Sequence, residues 1–296
     1  MDKEGKDLRR YPRFDFGGTA MLVFDDAEKR RTLAITNYRN ISKALGIRTR
    51  MIECKEKAGF VLTESMLRAA GPVDGVLVAS PSNPCGTIIP ADELKRIATY
   101  CREQGVSLIS DEIYHGISYG TRTETALAFN PDAVVINSFS KYFSMTGWRI
   151  GWMVVPEAMV APLERIAQNF YISPPAISQV AACAAFDGAE ELDGHVRTYA
   201  ANRAILIEAL QQAGLTTRAP ADGAFYLYTD VSAFGLSSAD LARKLLAETG
   251  VAATPGDDFD PVDGNHWLRL SYAGSTDDMR KAAAHMVAWF GAMKRR

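Results

Sequence analysis

From about residue 32 onward, short unbroken apolar runs alternate with stretches in which apolar residues recur every three or four positions. The first pattern marks strands buried on both faces, and the second marks amphipathic helices. Gly75–Ala79 reads as a strand closed by Ser80-Pro81-Ser82-Asn83-Pro84. A helix starting near Pro90 places Leu94, Ile97, Ala98 and Cys101 on one face and stops at Gly105. Further strands are predicted at Val106–Ser110, ending in Asp111-Glu112, and at Ala133–Asn137, ending in Ser138-Phe139-Ser140-Lys141, with another at Ile150–Val155. Continuous apolar strands separated by helices predict an α/β fold: a mainly parallel sheet with helices on both faces. Ligands sit at the carboxyl ends of strands in such sheets, so the polar groups just named converge on one crevice.

The later chain follows a different rhythm. A helix over Glu190 to Ala213 leads to strands at Ala224–Thr229, Val251–Thr254 and Trp267–Ser271, with a helix at Ser238–Glu248 between the first two. A last helix starts at Ser275, with Asp278 as its capping partner and an apolar face of Met279, Ala282, Met286, Trp289 and Met293. The expected organisation is a large domain over residues 32–207 and a smaller α+β domain over 208–296. Residues 1–31 stand apart as a charged leader, an atypical or truncated N-terminus. They hold eight basic and seven acidic residues, against 25 and 28 in the other 265. Ile166 to Phe186 carries no charge, but Pro174, Pro175 and several polar residues interrupt it, which predicts two buried helix pieces rather than a membrane span.

Composition narrows the function. With 47% hydrophobic residues the chain can bury a substantial core, and a net charge of −2 gives no basic excess for nucleic acid or a membrane surface. Four cysteines without a CxxC pair suit a reducing cytoplasm, and the charged first residues do not resemble a signal peptide. The four histidines show no HExxH or paired ligand spacing, so no metal is expected, and no GxGxxG fingerprint occurs.

The candidate chemistry lies at the strand ends. Lys141, flanked by Ser138 and Ser140 and followed by Arg149, has the residue types for carbonyl capture beside a phosphate. Asp111 and Tyr114 offer a buried carboxylate and a phenol, Asn83 sits in a turn, and Arg269 lies in the alternating run Trp267–Ser271. Each taken alone is as readily structural: a solvated loop lysine, a turn-capping acid, a turn asparagine, a surface arginine. Gly223-Ala224-Phe225-Tyr226 stays open between the substrate side and the core.

Together they are more specific. Ser138-Phe139-Ser140-Lys141-Tyr142-Phe143-Ser144-Met145-Thr146-Gly147-Trp148-Arg149-Ile150-Gly151 resembles the lysine-site signature of the class I aminotransferases, fold-type I enzymes that use pyridoxal 5′-phosphate. Asn83-Pro84-Cys85-Gly86 is similar to their Asn-Pro-x-Gly turn, and Asp111-Glu112-Ile113-Tyr114 to their Asp-x-x-Tyr segment. Gaps of 28 residues from Asn83 to Asp111 and 128 from Lys141 to Arg269 suit the family. The resemblance implies that Lys141 forms the Schiff base and shuttles the proton, that Asp111 pairs with the pyridine nitrogen, and that Tyr114 and Asn83 bond the ring oxygen. It further implies that Ser138, Ser140 and Arg149 hold the phosphate, and that Arg269 and Asn83 bind the substrate carboxylate. The implied reaction moves an amino group from an L-amino acid to a 2-oxo acid in a homodimer. A lyase, decarboxylase or synthase on the same scaffold, or a catalytically impaired fragment, are the alternatives.

The N-terminal part departs from the family. Gly17-Gly18-Thr19 is a candidate remnant of the phosphate turn, and Ile35 and Thr36 stand where an aromatic stacks on the cofactor, before Asn37-Tyr38-Arg39-Asn40. A truncated or frame-disturbed copy is therefore expected, with weakened cofactor binding and dimerisation.

Overall fold

The computed structural model describes residues 22–24, 36–54 and 56–293. Gly17-Gly18-Thr19 and most of the charged leader lie outside them. Leu22–Phe24 within that leader forms a short strand, β1.

Six strands make the larger sheet: β1, β2 (Thr49–Met51), β3 (Gly75–Ala79), β4 (Ser107–Asp111), β5 (Val134–Ser138) and β6 (Gly151–Val154), in the order β2-β1-β3-β4-β5-β6. The sheet is mixed. β3, β4 and β5 run parallel, whereas β1 is antiparallel to both neighbours and β6 is antiparallel to β5. The parallel centre follows from the crossover through α3 (Ala91–Gln104) between β3 and β4. No crossover helix separates β5 from β6, so β6 folds back against its neighbour.

The α3 helix begins with Asp92 and Glu93 in its first turn and ends at Gly105, whose φ of 67° lies in the left-handed region that glycine adopts without strain. Its predicted face, Leu94, Ile97, Ala98 and Cys101, packs with Val76, Val78, Leu108 and Val135 in one cluster. Helix α1 (Thr36–Ala44) precedes β2, and α2 (Glu64–Ala70), capped by Thr63, packs beside α3.

The smaller sheet has the order β7-β9-β8, from β7 (Tyr226–Asp230), β8 (Thr254–Pro255) and β9 (Trp267–Ser271), all antiparallel. Helices α6 (Ala189–Gln212), α7 (Ser238–Thr249) and α8 (Thr276–Ala292) pack in one cluster with its Leu227, Leu268 and Leu270. The α8 cap forms as its sequence suggests, with the Asp278 amide donating to Ser275 Oγ at 3.1 Å. Its buried face is centred one position away from the predicted one, on Ala283, Met286 and Phe290, with Met279 and Trp289 at its margin.

One expectation fails. Residues 166–186 do form helix pieces, the end of α4 (Glu157–Phe170) and α5 (Ala176–Ala185), but of them only Ser178 and Ala182 are buried. Phe170 is 76% exposed, Ile172 80%, Ile177 71% and Val180 73%. The prolines broke the span as predicted, yet the absence of charge does not decide burial. No helix among the described residues is long and apolar enough to cross a membrane.

Candidate active site

The carboxyl ends of β4 and β5 open on a cleft of about 590 Å³ whose lining includes Tyr38, Asp111, Ser138, Ser140, Lys141, Thr146 and Arg149. Asp111 is the last residue of β4 and is buried. Its Oδ1 accepts from the Ile113 amide at 3.2 Å and its Oδ2 from the Tyr38 phenol at 2.7 Å. Burial pushes the Asp111 carboxyl above its usual range, while the Tyr38 and Ile113 donors and the nearby Lys141 pull it back. Tyr38, on α1, was not assigned from the sequence. Its only clue was its position just after the expected stacking site, and a phenol reaching across 73 residues to a strand end has no local signature.

The neighbouring Glu112 points into a different network. It accepts from Ser110 Oγ, Thr125 Oγ1 and the Ala126 amide, and lies 3.4 Å from His115 Nδ1. Burial lowers the His115 pKa against the pull of Glu112. This pair anchors the segment after β4.

Beyond β5 the chain makes a compact loop rich in donors. The Ser140 amide donates to Ser138 Oγ at 3.0 Å, and Thr146 Oγ1 donates to the Ser140 carbonyl at 2.6 Å. Arg149 takes a left-handed conformation (φ 53°) and is exposed, with Nη1 donating to the Thr146 carbonyl. Lys141 Nζ lies 5.3 Å from the Tyr114 ring centroid and 5.8 Å from that of Phe225. Ser138, Ser140, Lys141 and Arg149 thus share one cleft with Asp111, and Thr146 joins them without having been singled out in the sequence.

Tyr114 and Asn83 belong to an adjoining wall that reaches the smaller sheet. Tyr114 is fully buried, a state that raises its phenol well above the ordinary value and keeps it protonated. Its hydroxyl lies 3.0 Å from that of Tyr226. Arg269, on β9, stacks over Tyr226 at 4.4 Å and donates from Nη1 to Asn83 Oδ1 at 2.8 Å and from Nη2 to Thr254 Oγ1 at 3.1 Å. Its buried Nε has no hydrogen-bond partner among the described residues. The alternating strand therefore turns Arg269 inward rather than to the surface. Asn83 is held in a turn with two cis peptide bonds, Ser80–Pro81 and Asn83–Pro84.

No cluster of three or more metal-ligating side chains occurs among the described residues. What the arrangement offers is an amine, a buried carboxylate, a hydroxyl- and arginine-bearing loop, and a second arginine on the opposite wall.

Residues 32–287 match the family model of class I and II aminotransferases. The chain belongs to that family. As an aminotransferase of fold type I it catalyses amino-group transfer. It is 44% identical over 278 residues to a valine–pyruvate aminotransferase of Mycobacterium tuberculosis, covering 91% of this chain and 72% of the relative. The crystal structure of an aminotransferase from Mycobacterium tuberculosis superposes with a TM-score of 0.84 at 44% identity, over 87% of this chain and 68% of the other. An aspartate aminotransferase of Thermus thermophilus, solved with maleate, gives 0.74 at 31% identity, over 80% and 63%. This aminotransferase chain thus spans roughly two thirds to three quarters of the length of these relatives.

Proposed function

We propose that the chain uses pyridoxal 5′-phosphate to transfer an amino group from an L-amino acid to a 2-oxo acid, with residues 32–207 holding the cofactor and 208–296 closing the substrate side. The observation that carries this reading is the shared cleft of Lys141, Asp111 and the Ser138–Arg149 loop. The donor set fits the cofactor. The Ser138 and Ser140 hydroxyls and the Arg149 guanidinium suit a phosphate dianion, and Thr146 Oγ1 adds a further donor or acceptor. Asp111, with one donor on each oxygen, retains lone pairs for a protonated ring nitrogen.

Pyridoxal phosphate, when bound, supplies a carbonyl for the amino group and a ring that accepts electrons from the substrate α-carbon. The protein's own residues do the rest. Lys141 Nζ takes the α-proton and returns it, acting as base and then acid. Asp111 holds the ring-nitrogen proton in place. Tyr114 and Asn83 donate to the ring oxygen, and Tyr38 keeps Asp111 supplied with a hydrogen bond. Arg269, with its unpartnered Nε and its Asn83 and Thr254 anchors, receives the substrate carboxylate. The aromatic wall of Tyr114, Phe225 and Tyr226 keeps water from that side.

We place the activity in the cytoplasm and in a homodimer, the first supported by four free cysteines among the described residues and the second by the exposed apolar helices α4 and α5. The test is to follow label from ¹⁵N-L-valine, and from ¹⁵N-labelled L-aspartate, into pyruvate or 2-oxoglutarate with pyridoxal phosphate present. Labelled product amino acid is expected. Ammonia released without an acceptor would instead support a lyase.

A further inference from the structure

Tyr226 opens β7, and its phenol oxygen touches that of Tyr114 in a buried wall. A phenol carries one proton and two lone pairs, so two phenols in contact share one hydrogen bond and leave one proton for another partner. Which proton is left decides what Tyr114 can do. If Tyr114 donates to Tyr226, its proton is consumed inside the wall. If Tyr226 donates, the Tyr114 proton is free to turn toward Lys141.

The surroundings favour the second arrangement. The Arg269 guanidinium sits 4.4 Å over the Tyr226 ring, a cation–π contact that draws electron density from that phenol and makes it the better donor. Tyr114 faces a different set of charges: Asp111 from β4, Lys141 at 5.3 Å from the loop after β5, and Arg269 beyond Tyr226. Arg269 lies nearer the Tyr226 ring (4.4 Å) than Lys141 does to the Tyr114 ring (5.3 Å), and the Asp111 carboxylate opposes loss of the Tyr114 proton, so Tyr226 is the better donor of the two. The Tyr114 ring is also fixed from two sides, edge-on to Phe225 at 5.5 Å and to Tyr226 at 5.9 Å, so its hydroxyl has little freedom to look elsewhere.

We propose that Tyr226 is a positioning residue that donates its proton to Tyr114 and thereby aims the Tyr114 hydroxyl proton into the Lys141 cleft, with Arg269 polarising the chain from behind. The proposal rests on the reading that the cleft holds pyridoxal phosphate. Hydrogen bonds in series strengthen one another, so the Tyr226 donor makes Tyr114 a stronger donor to the cofactor's ring oxygen. A ring oxygen that gives up charge to Tyr114 holds the proton of the Lys141 linkage less tightly. Tyr226 therefore lowers the pH at which that linkage loses its proton, without itself touching the cofactor.

The experiment is a pH titration of the visible band that depends on Lys141, in the loaded wild-type protein and in Tyr226→Phe. The phenylalanine keeps the ring under Arg269 and removes only the hydroxyl. Its midpoint is expected to rise by about half a pH unit or more, the size that one cooperative hydrogen bond supplies. KM for the amino acid should stay within about twofold because Arg269 keeps its partners. A second protein, with 3-fluorotyrosine at position 226, retains the fold and carries a more acidic phenol; its midpoint should fall. An unchanged or lowered midpoint in Tyr226→Phe, beside a normal wild-type band, overturns this inference and leaves the cofactor reading standing. A missing band in the wild type overturns both.

Discussion

Asp111 works against its own burial. A carboxylate at the end of an interior strand loses hydration, and among the described residues Tyr38, the Ile113 amide and the charge of Lys141 compensate. Its folded-state pKa is raised, so the stability it contributes to the cofactor-free protein is full below the ordinary carboxylate value and is lost as pH rises through the folded value. Tyr38→Phe removes a donor that matters more to the ionised than to the neutral carboxyl. Thermal unfolding of cofactor-free protein should show a penalty of about 0.5–1.5 kcal/mol near pH 4, growing to about 1.5–3 kcal/mol near pH 8. A penalty equal at both pH values would mean that Tyr38 only packs. Tyr38 shows where residue-level reading of a sequence stops. Lys141, Asp111 and Asn83 sit in local motifs, but the Tyr38–Asp111 contact exists only once α1 and β4 are folded together.

At the scale of elements, the turn that carries Asn83 depends on close backbone approach. Gly86 has φ 63°, and a Cβ there would lie 2.5 Å from the Gly223 carbonyl and 3.0 Å from Ala221 Cα. Both obstacles are backbone, so neither can swing aside. Gly86→Ala should cost about 1–3 kcal/mol and push Asn83 away from Arg269. Urea unfolding gives the first quantity and KM for the amino acid the second; wild-type values for both would refute the close-approach account. Strand centres were legible because unbroken apolar runs have few other uses. Trp267–Ser271 and Gly75–Ala79 form with the predicted bounds, and β4 and β5 start one residue later. The first two strands were not, since β1 and β2 are three residues each and carry too little pattern to stand out. The orientation of β6 was hidden for another reason: an apolar run does not reveal its direction, and only the missing crossover helix does.

At the scale of the molecule, two sheets meet so that β4 and β5 supply the amine and carboxylate while β9 supplies the arginine. Outside this meeting place, α4 and α5 leave Phe170, Ile172, Ile177 and Val180 open to solvent. An apolar surface of that kind is one that the proposed second copy would cover. The protein is therefore expected to sediment at twice its 32.3 kDa chain mass, and Ile177→Asp to shift it to a monomer that keeps its helix and strand content. A wild-type monomer at micromolar concentration would refute this. Composition does not place such a run, because a stretch without charge looks the same whether it is buried or exposed.

The central claim is that Lys141 holds pyridoxal phosphate in the cleft between Asp111 and the Ser138–Arg149 loop. The direct measurement is the absorbance spectrum of the full chain after mixing with pyridoxal phosphate and exhaustive dialysis, beside Lys141→Ala treated identically. A near-ultraviolet-to-visible band that survives dialysis in the wild type and is absent from the variant is predicted. Identical spectra from the two proteins, both those of free cofactor, would contradict it.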